Sequence, residues 1–100
     1  MSELCLTLLC PPAVEEKLLD VLLMSPNATV FTSTPTAAHG LAVGNLTQTE
    51  QVMGRAQATE IQVIFAVAEK TKLLEHIRQQ FAGAGLRYWL TTVIEAGEIA

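Results

Sequence analysis

The chain has 100 residues, half of them hydrophobic, and its ten acidic and six basic side chains give a formal charge of −4. This length and apolar content suit one domain with a core of its own and exclude two domains in practice. The six Lys and Arg residues are scattered, which argues against a nucleic-acid binder, because neutralising phosphates requires clustered positive charge.

The sequence also argues against membrane insertion and secretion. Residues 21–49 contain no Asp, Glu, Lys or Arg, but Pro, Asn and Thr interrupt them, so they do not predict a membrane helix. Glu3 lies where a leader carries positive charge, and the apolar stretch beside it is short. We therefore expect a cytoplasmic protein. Cys5 and Cys10 would project to opposite faces of one strand, so we expect two reduced thiols.

The first third of the chain predicts a strand, a helix and a second strand. Residues 3–10 alternate leucines with Cys and Thr, which indicates a strand buried on at least one face. Two prolines end this strand and open a helix whose apolar side chains recur at helical spacing to about Met24. Residues 28–35 are rich in β-branched and aromatic side chains and predict the second strand.

A long segment without helical or strand period, residues 36–57, separates the second strand from the third. Compact domains keep connections of this length mainly for binding or movement. Its glycines loosen the backbone, and Arg55 is its only formal positive charge. We expect the functional residues here, and we predict that residues 40–54 are the first to be cut by a protease.

The second half of the chain predicts a strand, a helix and a final strand. Residues 57–68 have the clearest alternation of apolar side chains in the chain. A helix is predicted over residues 69–82, and Gly83 and Gly85 supply its C-terminal cap. Residues 86–95 form the fourth predicted strand.

This order of elements predicts an α+β, ferredoxin-like βαββαβ fold, a four-stranded antiparallel sheet with two helices on one face. The other face would be bare and largely apolar. A patch of that size is rarely left in water, so we expect self-association into a closed cyclic oligomer. The alternative is a monomer whose bare face is kept polar by Thr, Ser and Gln. The side chains expected on the bare face are Cys5, Leu9, Phe31, Ile64, Ala66, Val93 and one of Tyr88 and Trp89.

The layout resembles the PII signal-transduction superfamily, and within it a small uncharacterised bacterial group of PII-like, nitrogen regulatory protein-like proteins. The resemblance covers residues 4–95 and depends on element order and loop position. It implies one PII-like domain over residues 1–100 that forms a homotrimer, with the sheets turned inward and ligand clefts between subunits. It also implies a signalling role, in which the loop of residues 36–57 contacts a protein partner.

The resemblance further implies where a ligand would bind. In PII proteins the base of the loop and a glycine-rich turn after the second helix hold an adenine nucleotide. Here that turn keeps two glycines and one Arg but lacks the longer Gly-Asp-Gly-Lys-like run. No cofactor is assigned, and the candidates are a nucleotide or a divalent metal. The matching ligand-binding positions are His39, Gly40, Arg55, Gly83, Gly85 and Arg87.

Two alternatives to a ligand sensor stay open. The related CutA branch shares the fold and the trimer and suggests a protein that binds divalent metals, and an interaction subunit without a small ligand is the other alternative. Neither His39 nor His76 has a partner at metal-ligand spacing, so we predict no metal site within one protomer.

No Ser-His-Asp or Cys-His pair follows from the spacing, so we expect no enzyme activity and assign no catalytic residue. The sequence leaves two roles open for Cys10, which precedes the first helix. It is either a small apolar residue or a thiol whose pKa the helix N-terminus lowers.

Overall fold

The structure, a computed structural model, describes residues 2–25, 30–40 and 55–100. Its elements follow the predicted order, and the predicted α+β, ferredoxin-like arrangement is confirmed. A short 3-10 helical turn leads into each helix. The strands are β1 (Glu3–Cys10), β2 (Phe31–His39), β3 (Arg55–Ala66) and β4 (Arg87–Val93), and the helices are α1 (Glu15–Met24) and α2 (Lys70–Phe81).

Helix α1 begins where acidic side chains favour a helix N-terminus. Glu15 and Glu16 occupy its first turn, where a negative charge stabilises the positive end of the helix dipole. Leu18 and Leu22, one helical turn apart, are both buried. Helix α1 is therefore held on the sheet by one apolar side, as its sequence spacing predicts.

Helix α2 also buries a single side. Leu73, Leu74, Ile77 and Phe81 are its buried residues, and they recur at the spacing of a helix face. Gly83 follows with a φ of +78°, a conformation that ends helices and favours glycine. No helix in residues 2–25, 30–40 and 55–100 has the length and apolar character needed to cross a membrane.

The four strands form one antiparallel sheet in the order β2-β3-β1-β4. On the helix-covered face, Leu6 of β1 lies between Val63 of β3 and Leu90 of β4. The core is therefore a layer between this face and the two helices. Its fully buried side chains include Leu6, Leu8, Leu18, Leu22, Ile61, Val63, Phe65 and Leu73.

The register decides which face the aromatic side chains occupy. Tyr88 lies opposite Leu8 and faces the helices, whereas Trp89 lies opposite Thr7 on the open face. Phe31 lies opposite Val63 and packs against the core, so its predicted place on the open face is wrong. The Thr and Ser residues that follow Phe31 give no apolar alternation, and without it the sequence does not fix the side-chain faces of β2.

The predicted bounds of the loop, residues 36–57, are also wrong. Strand β2 continues to His39 and β3 begins at Arg55, so both ends of the predicted loop belong to a paired hairpin. The small side chains of these stems carry no apolar period, and backbone hydrogen bonds between the strands form without one. The predicted cleavage region, residues 40–54, lies almost entirely outside the described residues and stays a prediction.

Candidate functional site

The residues expected at the base of the loop lie at the far end of the β2–β3 hairpin. His39, the last residue of β2, is exposed and pairs with Arg55, the first residue of β3. Gly40 follows with a φ of +77°, where a side chain would strain the backbone. Backbone pairing therefore brings three of the predicted ligand-binding positions together.

Gly83 and Gly85 form a second group, in the turn from α2 to β4. Their φ angles are +78° and +82°, so both positions favour glycine. A Cβ atom at Gly85 would lie 3.8 Å from Cγ of Pro11, whereas one at Gly83 would meet nothing within 4 Å. The turn thus packs against the segment that follows β1 and leaves Gly83 open.

Arg87 lies two residues after Gly85 but apart from the hairpin end within one chain. It begins β4 opposite Leu9, which in turn lies opposite Glu60 of β3, so all three side chains share the open face. Arg55 is five residues further along β3. With about 3.3 Å per residue and about 4.8 Å between strands, the backbones of Arg55 and Arg87 are roughly 19 Å apart. A common cleft for these two arginines would therefore need a second protomer.

A polar link that the sequence analysis missed joins α2 to β4. The guanidinium of Arg78 donates hydrogen bonds to the Tyr88 hydroxyl at 3.1 Å and to the Glu75 carboxylate at 2.8 Å. The bond to Glu75, and then that to Tyr88, raises the pKa of Arg78. The i, i+3 spacing of Glu75 and Arg78 signals their ion pair. The contact with Tyr88 has no sequence signal, because it depends on how α2 packs against β4.

A cleft of about 400 Å³ opens beside this link, between the end of α2 and the start of β4. Core side chains form its floor, and the glycine turn forms one wall. An apolar cleft with a few polar groups is the usual form of a small-molecule site. Its lining residues are Leu8, Leu74, Ile77, Arg78, Phe81, Ala82, Gly83, Gly85, Leu86 and Tyr88.

The open face of the sheet is the other candidate surface. Trp89 is 44% exposed there, and Cys5, Leu9 and Ile64 are half-buried. A second cleft, of about 700 Å³, lies on this face and is bounded partly by Cys5, Ile64 and residues 96–98. Apolar side chains thus remain accessible on the side of the sheet away from the helices.

Cys10 is a buried residue at the end of β1. Burial, more than the nearby charge of Glu15, raises the pKa of its thiol. The alternative of a pKa lowered by the helix N-terminus is therefore wrong, and Cys10 serves as a small apolar core residue. Thr59, opposite Cys10, donates a hydrogen bond to the Glu15 carboxylate. Cys5 lies on the other face of β1, and both thiols are free.

The remaining titratable side chains do not converge on a metal-binding arrangement in the described part of the chain. No three His, Cys, Asp or Glu residues within it come together as ligands. His76 is exposed on α2 and lines the groove between the helices together with Lys17 and Lys72. This places His76 on the helix surface, whereas His39 is the last residue of β2.

The fold is shared with solved structures at low sequence identity. A DUF3240 family protein from Shewanella baltica OS155 gives a TM-score of 0.83 at 14% identity, over 100% of this chain and 99% of that chain. A protein from Thermus thermophilus, described as a putative PII-like signalling protein, gives 0.66 at 15% identity over 93% and 88%. The GlnK–ATP complex from Bacillus subtilis gives 0.60 at 14% identity over 92% and 82%.

These similarities confirm the predicted PII-like fold. A search of curated protein sequences finds no match. The family described as "Protein of unknown function (DUF3240)" matches residues 1–100. The chain therefore belongs to the DUF3240 family, whose function is unknown.

Proposed function

We propose that this protein is a PII-like sensor that binds a small ligand between the subunits of a homotrimer and signals to a protein partner through residues 40–54, which connect β2 to β3. The observation that carries the proposal is the open face of the sheet. Trp89 and Ile64 are accessible there, and in the described part of the chain both helices pack on the opposite face. Apolar surface of this kind usually marks an interface.

A closed trimer covers these faces with the chain's own copies. Both sheet faces of a four-stranded protomer are then buried, one by helices and one by neighbouring sheets, and a closed ring leaves no open contact for further growth. The PII-like fold supports this arrangement. The protein's proposed location is the cytoplasm, and we propose no enzyme activity for it.

The ligand site of the proposal lies where a hairpin end of one subunit meets the sheet edge of another. Arg87 is exposed on the open face at the start of β4. A neighbouring subunit would bring its own His39, Gly40 and Arg55 towards it. Backbone N–H groups at glycine turns and arginine side chains both favour anions. A nucleotide or another phosphorylated metabolite is therefore the first ligand class to test.

Signalling would follow from the position of the hairpin. The paired strands β2 and β3 end at His39 and Arg55, so a ligand held at those residues also contacts the base of the loop. A ligand that binds one loop conformation more tightly shifts the population towards it. A partner protein that recognises that conformation would then respond to the ligand.

Two other functions stay in competition. A CutA-like protein would bind a divalent metal, with His39 and the reduced thiols as the softer ligands. Such a site would have to be shared between subunits, because the described residues of one chain hold no group of three metal ligands. The third function is an interaction subunit that forms the same trimer and binds no small ligand.

Thermal unfolding separates these functions. A ligand present at about 100 times its Kd stabilises the folded state by about 2.7 kcal/mol, so adenine nucleotides should raise the Tm of the wild type. Arg87→Ala should abolish that shift, whereas Lys72→Ala, which removes an exposed positive charge on α2, should preserve it. A shift with zinc or copper that His39→Ala abolishes would favour the CutA-like function. No shift with either class would favour the interaction subunit.

A further inference from the structure

The cleft between α2 and β4 reaches the hydrophobic core. Leu8, Leu74, Ile77 and Phe81 line it, and each is at most 8% exposed in the folded chain. A ligand body placed there would lie against apolar atoms that are otherwise nearly sealed from water. A volume of about 400 Å³ falls in the range of small-molecule sites. The interior of the cleft thus favours an aromatic or aliphatic group.

The cleft also has one charge. Among the described residues that line it, Arg78 is the only one with a formal charge. Its guanidinium carries five N–H donors and makes two hydrogen bonds, to Glu75 and Tyr88. The pair with Glu75 is exposed at 57% and 55% of the two side chains, and exposed ion pairs contribute little stability. A ligand anion can therefore compete for the guanidinium.

We propose that this cleft binds a small molecule with an apolar body and a single anionic group, of which an aromatic carboxylate is the simplest case. Arg78 would bind the anion in its fork, and the core side chains would receive the ring. The cleft holds a single cation, and the Glu75 carboxylate lies beside it, so the site disfavours a polyanion such as a nucleoside triphosphate. The inference rests on the proposed sensing function, and it names a ligand class for the helix side of the Gly83–Gly85 turn.

The link between Arg78 and Tyr88 gives the cleft a means of responding to the ligand. The hydroxyl of Tyr88 and the anion would compete for the same guanidinium, so binding loosens the contact between α2 and β4. Tyr88 directly follows Arg87, the first residue of β4, whose side chain lies on the opposite face. A shift of this end of β4 would therefore reach the open face, where the subunits are proposed to meet.

Calorimetric titration with phenylacetate tests the proposal, with phenylacetamide as the uncharged probe of the same shape. The wild type should bind phenylacetate with a millimolar or better Kd, and phenylacetamide should bind at least about tenfold more weakly, because a charged hydrogen bond is stronger than a neutral one. Amide NMR signals of Gly83 and Gly85 should shift on titration. Arg78→Gln should weaken binding by at least about tenfold.

Two further variants keep the test specific. Tyr88→Phe removes the hydroxyl that competes for Arg78 and retains the ring, so it should bind phenylacetate at least as tightly as the wild type. Lys72→Gln, which removes an exposed positive charge elsewhere on α2, should bind it unchanged. The proposal is overturned if the wild type shows no binding, or if Arg78→Gln binds phenylacetate as tightly as the wild type. Nucleotide binding is measured separately from phenylacetate binding. If it depends on Arg87 alone, it supports the intersubunit site.

Discussion

Trp89 of β4 lies directly opposite Thr7 of β1 on the open face of the sheet. Thr7 also lies opposite Gln62 of β3, and it is only 2% exposed although both helices pack on the other side. The indole itself remains 44% exposed. Trp89 thus covers the centre of the face and presents a large apolar surface to whatever packs on it.

We predict that Trp89→Asp dissociates the oligomer. An unpaired charge buried at an interface costs on the order of 3 to 5 kcal/mol, which is enough to separate subunits at micromolar concentration. Sedimentation equilibrium would measure the change in mass. Leu23→Asp is the matched control, since Leu23 is apolar, 70% exposed and on helix α1. A wild type that sediments as a monomer would exclude the trimer.

Phe65 should be among the most important residues for stability. Its side chain is 1% exposed on the central strand β3, opposite Leu4, so Phe65→Ala should lower the free energy of unfolding by about 3 to 5 kcal/mol. Urea unfolding followed by circular dichroism would give the difference. Val67→Ala, two residues later and 45% exposed, should cost much less. Equal losses for the two variants would contradict the position of the core.

Gly85 should tolerate alanine poorly because of its backbone. Its φ of +82° lies in the left-handed region, where a side chain costs roughly 1 to 2 kcal/mol. A Cβ atom there would make only an ordinary contact with Pro11, so backbone strain should account for the whole effect. Gly97→Ala is the control, since Gly97 has no positive φ and a Cβ atom added to it would meet nothing within 4 Å. Thermal unfolding that ranks the two variants alike would contradict the turn geometry.

Cys10 should make the protein less stable in alkali. Burial raises the pKa of its thiol above the ordinary value of 9.0, so above that pH the unfolded chain loses the proton first. The contribution of Cys10 to the free energy of unfolding therefore falls as the pH rises from about 9 towards the folded pKa, and is constant below that range. Urea unfolding of Cys10→Ala should show a shallower fall than the wild type. An equal fall in the two proteins would contradict the burial of Cys10.

Thiol reactivity gives an independent measurement on the same residues. Cys5 is half-buried on the open face, whereas Cys10 is 1% exposed. In the Trp89→Asp variant, whose open face no neighbouring subunit is expected to cover, a thiol reagent at neutral pH should modify Cys5 first and reach Cys10 only at the rate of unfolding. Rapid modification of Cys10 in the folded protein would show that the end of β1 is open to solvent.

Part of the candidate site could be predicted from the sequence. Gly83 and Gly85 end a helix in a local conformation that their residue type favours, so a turn at that position follows from the chain itself. The sequence pattern predicts a loop where the structure has the hairpin end at His39 and Arg55, because small and polar side chains do not reveal strand pairing. The link between Arg78 and Tyr88 could not be predicted, since it joins a helix to a strand through tertiary packing.

The sequence by itself determined the features that depend on local periodicity. The leucines of β1 and the buried side of α2 repeat at the spacing of a strand and of a helix, and these repeats fixed the elements, their order and the fold. Only the tertiary structure decided that Trp89 faces outward and Tyr88 inward. Neighbouring residues of a strand always take opposite faces, and the register between strands chooses which, through contacts between segments far apart in the chain.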